Sequence, residues 1–171
     1  MQPIEIATNP NPTTWNDASF SEAKLICDSV NDDDVTLPQI RQHFDLMVDR
    51  WFSDMRALAT KDSSTLIAKD WQKLGALTLQ WGFNSFYLVT LNTLHDTLVS
   101  KQRDYGHENI ARFGRQGLLI RVHDKVARLE NLAKKTGTPS NESIQDTVMD
   151  VAGYSTIGMM WERGTFLLPL E

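Results

Sequence analysis

The sequence predicts an all-α protein, a bundle of about five or six helices forming a single domain over residues 1–171. Three observations carry this. Apolar residues recur at three- and four-residue steps through most of the chain. No segment shows the strict apolar–polar alternation of a half-buried strand. Prolines and glycines stand where helices would start and stop, as at Pro38, Gly106, Gly137 and Pro139.

Residues 1–16 read as an irregular arm, because Asn9-Pro10-Asn11-Pro12 disfavours both helix and ladder pairing. Phe20, Leu25 and Ile26 suggest a short helix over 18–30, ended by Asn31-Asp32-Asp33-Asp34. That acidic run lacks the spaced ligands and closing Glu of a calcium loop, so it reads as a solvated connection. Thr36 is placed to cap the next helix, with Pro38 in its first turn. Ile40, Phe44, Met47, Val48, Trp51, Met55 and Leu58 then form one wide buried face, with Arg41, Gln42, Asp45, Asp49 and Arg56 mostly on the others. Lys61-Asp62-Ser63-Ser64 breaks the pattern, and Ser63 or Ser64 would cap the third helix.

Leu66, Ile67, Trp71, Leu74 and Leu77 share a helical face. Phe86, Leu88, Leu91, Leu94 and Leu98 continue the pattern beyond Gly82 and Asn84, which predicts two helices or one kinked near Gly82. Residues 17–100 thus form an apolar scaffold in which Trp51, Trp71 and Trp81 anchor a core or a subunit interface. A homo-oligomer, in the simplest case a dimer, is expected through it.

Lys101-Gln102-Arg103-Asp104-Tyr105-Gly106 ends a helix, with Gly106 as a left-handed stop, and His107, Glu108, Asn109, Phe113 and Gly114 fill a turn. Leu119, Val122, Val126, Leu129 and Ala133 stripe a strong helix from Leu118 to Lys135, closed by Gly137 and Pro139. Asn141 is placed to cap a last helix, with Glu142 in its first turn and Ile144, Val148 and Val151 buried. Gly153 and Gly158 inside that helix each cost about 1 kcal/mol relative to Ala, which close approach of another helix would offset.

Composition narrows the class. Hydrophobic residues are 41% and charged residues 23%, a globular balance that excludes disorder and collagen. The formal net charge of -5 argues against a partner such as long nucleic acid, though not against one phosphorylated ligand. One cysteine, Cys27, permits no internal disulfide and reads as a small buried hydrophobe. No basic segment leading into an apolar run opens the chain, and no apolar run approaches the ~20 residues of a membrane span. A cytoplasmic protein with no membrane partner is expected.

Two neighbouring helices carry complementary charge. Arg121, Asp124, Lys125 and Arg128 share one face, and Glu142, Asp146 and Asp150 recur at four-residue steps on the next helix. A short connection makes the two pack antiparallel. Two readings are open. In one, Asp124, Glu142, Asp146 and Asp150 hold Mg²⁺ while Arg121, Lys125 and Arg128 bind phosphate, and a metal-bound water attacks phosphorus. In the other, the faces are joined by interhelical salt bridges. Lys101, Asp104, Tyr105, His107 and Asn109, packed around a glycine turn, would shape a base or sugar pocket or simply end a helix. His43 and His95 are isolated and read as structural, and His123 points away from a dyad with Asp124.

The stretch from Lys101 to Trp161 resembles a known family. Lys101-Gln102-Arg103-Asp104-Tyr105-Gly106, Phe113-Gly114 with Gly117, Arg121, Asp124-Lys125-Val126-Ala127-Arg128-Leu129, Asn131-Leu132, Glu142-Ser143-Ile144-Gln145-Asp146-Thr147, Asp150 and Ala152-Gly153-Tyr154 carry the likeness. It is to the phage and bacterial nucleotide modification associated domain 1 family. The resemblance covers about the last third of the chain and implies a role in phage nucleotide or modified-DNA metabolism, in the host cytoplasm. Glu142-Ser143-Ile144-Gln145-Asp146 is also similar to the second acidic motif of the all-α nucleotide pyrophosphatases, the MazG and dimeric dUTPase group. In that group Mg²⁺ sits between two antiparallel helices. Arg128 departs from the group's first motif, where an acid is expected.

The resulting expectation is a Mg²⁺-dependent nucleotide phosphate hydrolase acting on a nucleotide or deoxynucleotide. Asp146 and Asp150 would be catalytic, Lys101, Asp104, Tyr105, Arg121, Lys125 and Arg128 would bind substrate, and Asp124, Glu142, Asp146 and Asp150 would hold metal. The alternatives are a non-catalytic nucleotide- or protein-binding module, which Arg128 favours, and a structural helical oligomer.

Overall fold

Seven helices and no strand make up the described residues: α1 (Trp15–Asp28), α2 (Leu37–Thr60), α3 (Ala68–Asn84), α4 (Leu91–Tyr105), α5 (Glu108–Ala111), α6 (Gly114–Ala133) and α7 (Ile144–Arg163). The computed structural model describes residues 8–60, 66–137, 139 and 142–171, the side chains of 56–60 excepted. The positions of Lys61, Ser63, Ser64 and Asn141, and the side chains of Arg56 and Leu58, lie outside these. Six helices are long and α5 is a single turn, so the protein is all-α, as the periodicity predicts.

Helix α7 is the axis of the bundle and packs against α1, α3, α4 and α6. It is buried on several sides, which is why its apolar stripe is weak in sequence. Its buried hydroxyls satisfy themselves: Ser155 donates to the Val151 carbonyl at 2.8 Å and Thr156 to that of Ala152 at 2.9 Å. Helix α3 runs antiparallel to it. Trp71 meets Gly158, Gly75 meets Ser155 and Gly82 meets Val148. The core gathers Trp15, Ile26, Ile40, Phe44, Leu74, Leu118, Val122, Val151 and Phe166 around these contacts.

Several boundaries differ from the sequence expectation. The arm ends earlier, because Thr14 caps α1 by accepting from the Asp17 N–H at 3.2 Å, and Trp15 is fully buried. Ile67 stands before α3 as its cap and is exposed rather than on the buried face. Phe86 and Leu88 lie in the connection between α3 and α4, both exposed. Two separate helices are present, and α3 continues through Gly82 because Val148 packs where a Cβ would stand. Gly106 has φ +64° and ψ -161°, a glycine-only conformation distinct from the left-handed helical one. Helix α6 begins at Gly114. Helix α7 begins after Ser143, which forms a reciprocal cap with Asp146, so Glu142 precedes the helix instead of sitting in its first turn.

His43 is buried, with Nε2 2.8 Å from the Asp70 carbonyl oxygen, and His95 Nε2 lies 3.1 Å from the Asn16 carbonyl oxygen. Each ring thus links its helix to a backbone carbonyl of another, His43 from α2 to α3 and His95 from α4 to α1. Among the described residues no helix is long and apolar enough to cross a membrane.

Candidate functional site: a cationic cleft between α4 and α7

A cavity of about 300 Å³ opens between α4 and α7 and is closed at one end by α5 and α6. Leu94, Leu98, Ile110, Met149 and Ile157 give it apolar walls. Gly153 keeps α4 close to α7, since a Cβ there would stand 3.3 Å from Leu98 Cδ2. The polar lining is Thr97, Lys101, Gln102, Tyr105, Asn109, Arg121, Asp150 and Tyr154. An apolar cleft with a few convergent polar groups is the usual form of a small-molecule site, and this volume lies at the small end of the range.

The charges at one end form a chain across three helices. Lys101 Nζ donates to Asp150 Oδ1 at 2.6 Å, and Lys125 Nζ lies 2.7 Å from Asp150 Oδ2. Lys125 Nζ also donates to Glu142 Oε2 at 2.8 Å and Oε1 at 3.1 Å. Burial pushes the Asp150 carboxyl up, but the two lysine ammoniums more than offset that and hold it below the usual aspartate range. Burial likewise works against the charge on Lys125, and its hydrogen bonds to Asp150 and Glu142 win, raising its pKa. Arg121, one helical turn before Lys125, donates Nη2 to the Asn109 carbonyl oxygen at 3.2 Å. The rest of its guanidinium has no partner among the described residues.

Hydrogen bonds fix the opposite wall. Gln102 is buried and its Nε2 donates to His107 Nδ1 at 2.6 Å, while the His107 ring packs edge-on against Phe166 at 5.5 Å between centroids. Asn109 Oδ1 is buried and finds no partner among the described residues. An orphaned buried acceptor costs roughly 1–3 kcal/mol, so this wall is less settled than the ion-paired one.

The structure thus brings Lys101, Tyr105, Arg121 and Asp150 to one cavity, with Lys125 directly behind Asp150. It does not bring the others there. Asp104 is exposed and outside the lining, and Asp124 is exposed on α6. Arg128 donates to the Glu142 carbonyl oxygen and to Thr147 Oγ1, and so ties α6 to the start of α7. Asp146 accepts from the Ser143 hydroxyl at 2.7 Å and caps its own helix. Arg115 pairs with Glu162 at 2.6 Å while Arg128 meets Thr147, which makes α6 and α7 antiparallel. The interhelical salt bridges of the second reading are therefore present.

The proposed metal ligands Asp124, Glu142, Asp146 and Asp150 do not converge. Asp150 and Glu142 face ammonium groups, and Asp146 faces its own cap. Among the described residues no group of three or more His, Cys, Asp or Glu side chains gathers in a metal-ligating arrangement. The carboxylates at this end are engaged in ion pairs and a helix cap, Asp150 and Glu142 meeting on the one Lys125 ammonium.

Gln102 and Tyr154 line the cleft although neither is among the site residues expected from the sequence, where both fall only within the motifs of the family likeness. Tyr154 continues the Glu142, Asp146, Asp150 series by one more four-residue step, a pattern obscured by its apolar surroundings. The chain matches no protein-family model, no curated protein and no solved structure.

Proposed function

We propose that the chain is a binding protein for a nucleotide or a closely related phosphorylated small molecule, held in the α4–α7 cleft. The observation that carries this reading is Arg121. It lines an apolar-walled cavity with only one of its donors engaged, beside the half-exposed Lys101 ammonium. A guanidinium offers bidentate hydrogen bonds to phosphate oxygens, and a neighbouring ammonium adds charge. The apolar walls and the Tyr105 and Tyr154 rings suit a flat base or sugar. The resemblance of the region 101–161 to a nucleotide-modification family supports the same ligand class, and the single cysteine fits a cytoplasmic location.

Binding fits better than hydrolysis. A hydrolase needs a group that activates water. The two carboxylates nominated for that, Asp146 and Asp150, are engaged by a helix cap and by two ammoniums. Thermal-shift and calorimetric titration against the deoxynucleoside phosphates tests the reading. Saturating ligand at a hundred times Kd stabilises a folded protein by about 2.7 kcal/mol. Arg121→Gln should abolish that shift while the helical signal stays unchanged. Stabilisation that survives Arg121→Gln places the ligand elsewhere, and rapid phosphate or pyrophosphate release restores the hydrolase reading.

Self-association through the N-terminal helices belongs to the same proposal. Leu46 and Met55 leave about half their area exposed on α2, Met55 in contrast to the buried face its spacing predicts, and their separation sets them on opposite sides of the helix. Sedimentation of Leu46→Glu against the wild type tests the Leu46 side: a dimer that persists unchanged in the variant excludes it.

A further inference from the structure

Asp150 sits where a phosphate-binding cleft would be expected to carry no negative charge. It lines the cavity, its side chain is 13% exposed, and each carboxylate oxygen takes one lysine. Lys101, Arg121 and Lys125 are the cations at this end, and Asp150 and Glu142 are the carboxylates bonded to them. Of these only Lys101, Arg121 and Asp150 line the cavity, two positive groups against one negative, which leaves a net of one positive charge facing the ligand, while Lys125 and Glu142 pair behind it. Arg128 stands a turn beyond Lys125 and is held by the Glu142 carbonyl and Thr147.

Resting on the phosphate-binding reading above, we propose that Asp150 is a specificity-determining residue that makes the cleft select ligands with one phosphate over those with a polyphosphate chain. A single phosphate matches the small positive surplus of the wall. Each further phosphate adds negative charge that must lie close to the fixed Asp150 carboxylate, where like charges in a partly desolvated site repel strongly. Specificity built on a repulsive element is a common device, and it explains an acid placed among the cations of an anion site. The two ammoniums keep that acid ionised at neutral pH, so the repulsion is permanent. Size does not impose this selection, because the cleft is open to solvent at the Lys101 end, where that side chain is 53% exposed.

The test uses three probes that differ in charge and carry no base: inorganic phosphate, pyrophosphate and tripolyphosphate, titrated into the full chain in metal-free buffer and monitored by amide NMR. In the wild type, phosphate should bind about threefold or more tighter than tripolyphosphate, although an unscreened cationic site would gain steeply with ligand charge. Asp150→Asn removes one charge and no volume. It should tighten tripolyphosphate by roughly tenfold or more, with a much smaller change for phosphate. Asp150→Ser is a second neutral variant if the amide disturbs folding, and both are checked by circular dichroism. Arg121→Gln should remove binding of all three probes. A wild type that binds tripolyphosphate more tightly than phosphate, or within about threefold of it, overturns the selection. So does a neutral variant that leaves the ratio unchanged. In both cases Arg121-sensitive binding keeps the phosphate-binding reading intact. Absence of Arg121-sensitive binding for every probe overturns both.

Discussion

The indole of Trp71 lies directly on the backbone of Gly158. A Cβ built on Gly158 would stand 2.2 Å from Trp71 Cδ2 and 2.6 Å from Cε2. Trp71 is fully buried in α3 and Gly158 lies in the middle of α7, so the contact sets the distance between the two most extensively packed helices. Gly158→Ala gains about 1 kcal/mol of helix propensity and forces a large, immobile ring to move. The net outcome should be a loss of about 3 kcal/mol or more, read as a lower midpoint in urea denaturation. A variant as stable as the wild type would show that α3 and α7 slide apart without penalty.

Close approach at Gly158 is legible in the sequence, because a glycine inside a helix needs a packing reason. The 3.6-residue periodicity likewise exposes the long helices that bury a defined stripe, most clearly α2 and α6, and is weakest in α7, which is buried on several sides. Helix starts are less legible. Trp15 has no periodic partner preceding it, and the Asn-Pro repeat masks the Thr14 cap. The Ser143–Asp146 cap is hidden by two neighbouring polar residues. At the site, residue types identify complementary faces on α6 and α7. Partner choice depends on the rotation of one helix against the other, so spacing alone leaves open whether Asp150 meets a metal or Lys101 and Lys125. Lys101 itself comes from a third helix, 49 residues away, and no local pattern announces that contact.

Two helix ends share one hydrogen-bond pattern and differ in residue. After α7, Gly164 at φ +74° lets its N–H reach the Trp161 carbonyl at 3.1 Å and that of Thr165 reach Met160 at 2.9 Å. After α3, the N–H of Phe86 reaches Phe83 at 3.1 Å and that of Tyr87 reaches Gly82 at 2.7 Å. Both are Schellman ends, and the second puts a phenylalanine at φ +66°. A side chain in the left-handed region costs roughly 1–2 kcal/mol, and the Phe86 ring is 95% exposed, so little burial offsets it. Phe86→Gly should raise stability by about 1 kcal/mol, while Gly164→Ala should lower it by a similar amount. Opposite shifts in thermal midpoint check the pair. A loss of stability in Phe86→Gly would mean that the ring makes a contact in solution that outweighs its backbone strain.

Cys27 is partly buried at the end of α1, next to Asp28. Burial, reinforced by the Asp28 charge, pushes its thiol up to about 11. Only the thiolate attacks thiol reagents, so near neutral pH the folded chain should react roughly a hundredfold more slowly than the urea-unfolded one. A disulfide reagent monitored by absorbance measures both rates. Equal rates would place Cys27 in open solvent.

The Lys101–Asp150–Lys125 bridge also predicts how stability responds to acid. Asp150 has a folded pKa below its unfolded value, so its contribution is fully present above the unfolded value, about 3.9. As the pH falls through that value the unfolded chain takes up the proton first, and stability drains away until the folded carboxyl is protonated too. Glu130, lowered by its hydrogen bond to Arg41, acts in the same direction, whereas Glu22, raised by burial, acts in the opposite one. The wild type alone therefore does not isolate Asp150, but the difference between it and Asp150→Asn does. That difference should be largest near neutral pH and shrink steadily as the pH drops below about 4, in urea titrations at fixed ionic strength. Parallel stability curves for the two proteins across that range would mean that Asp150 gains nothing from its two lysines, and the ion-paired wall would lose its energetic basis.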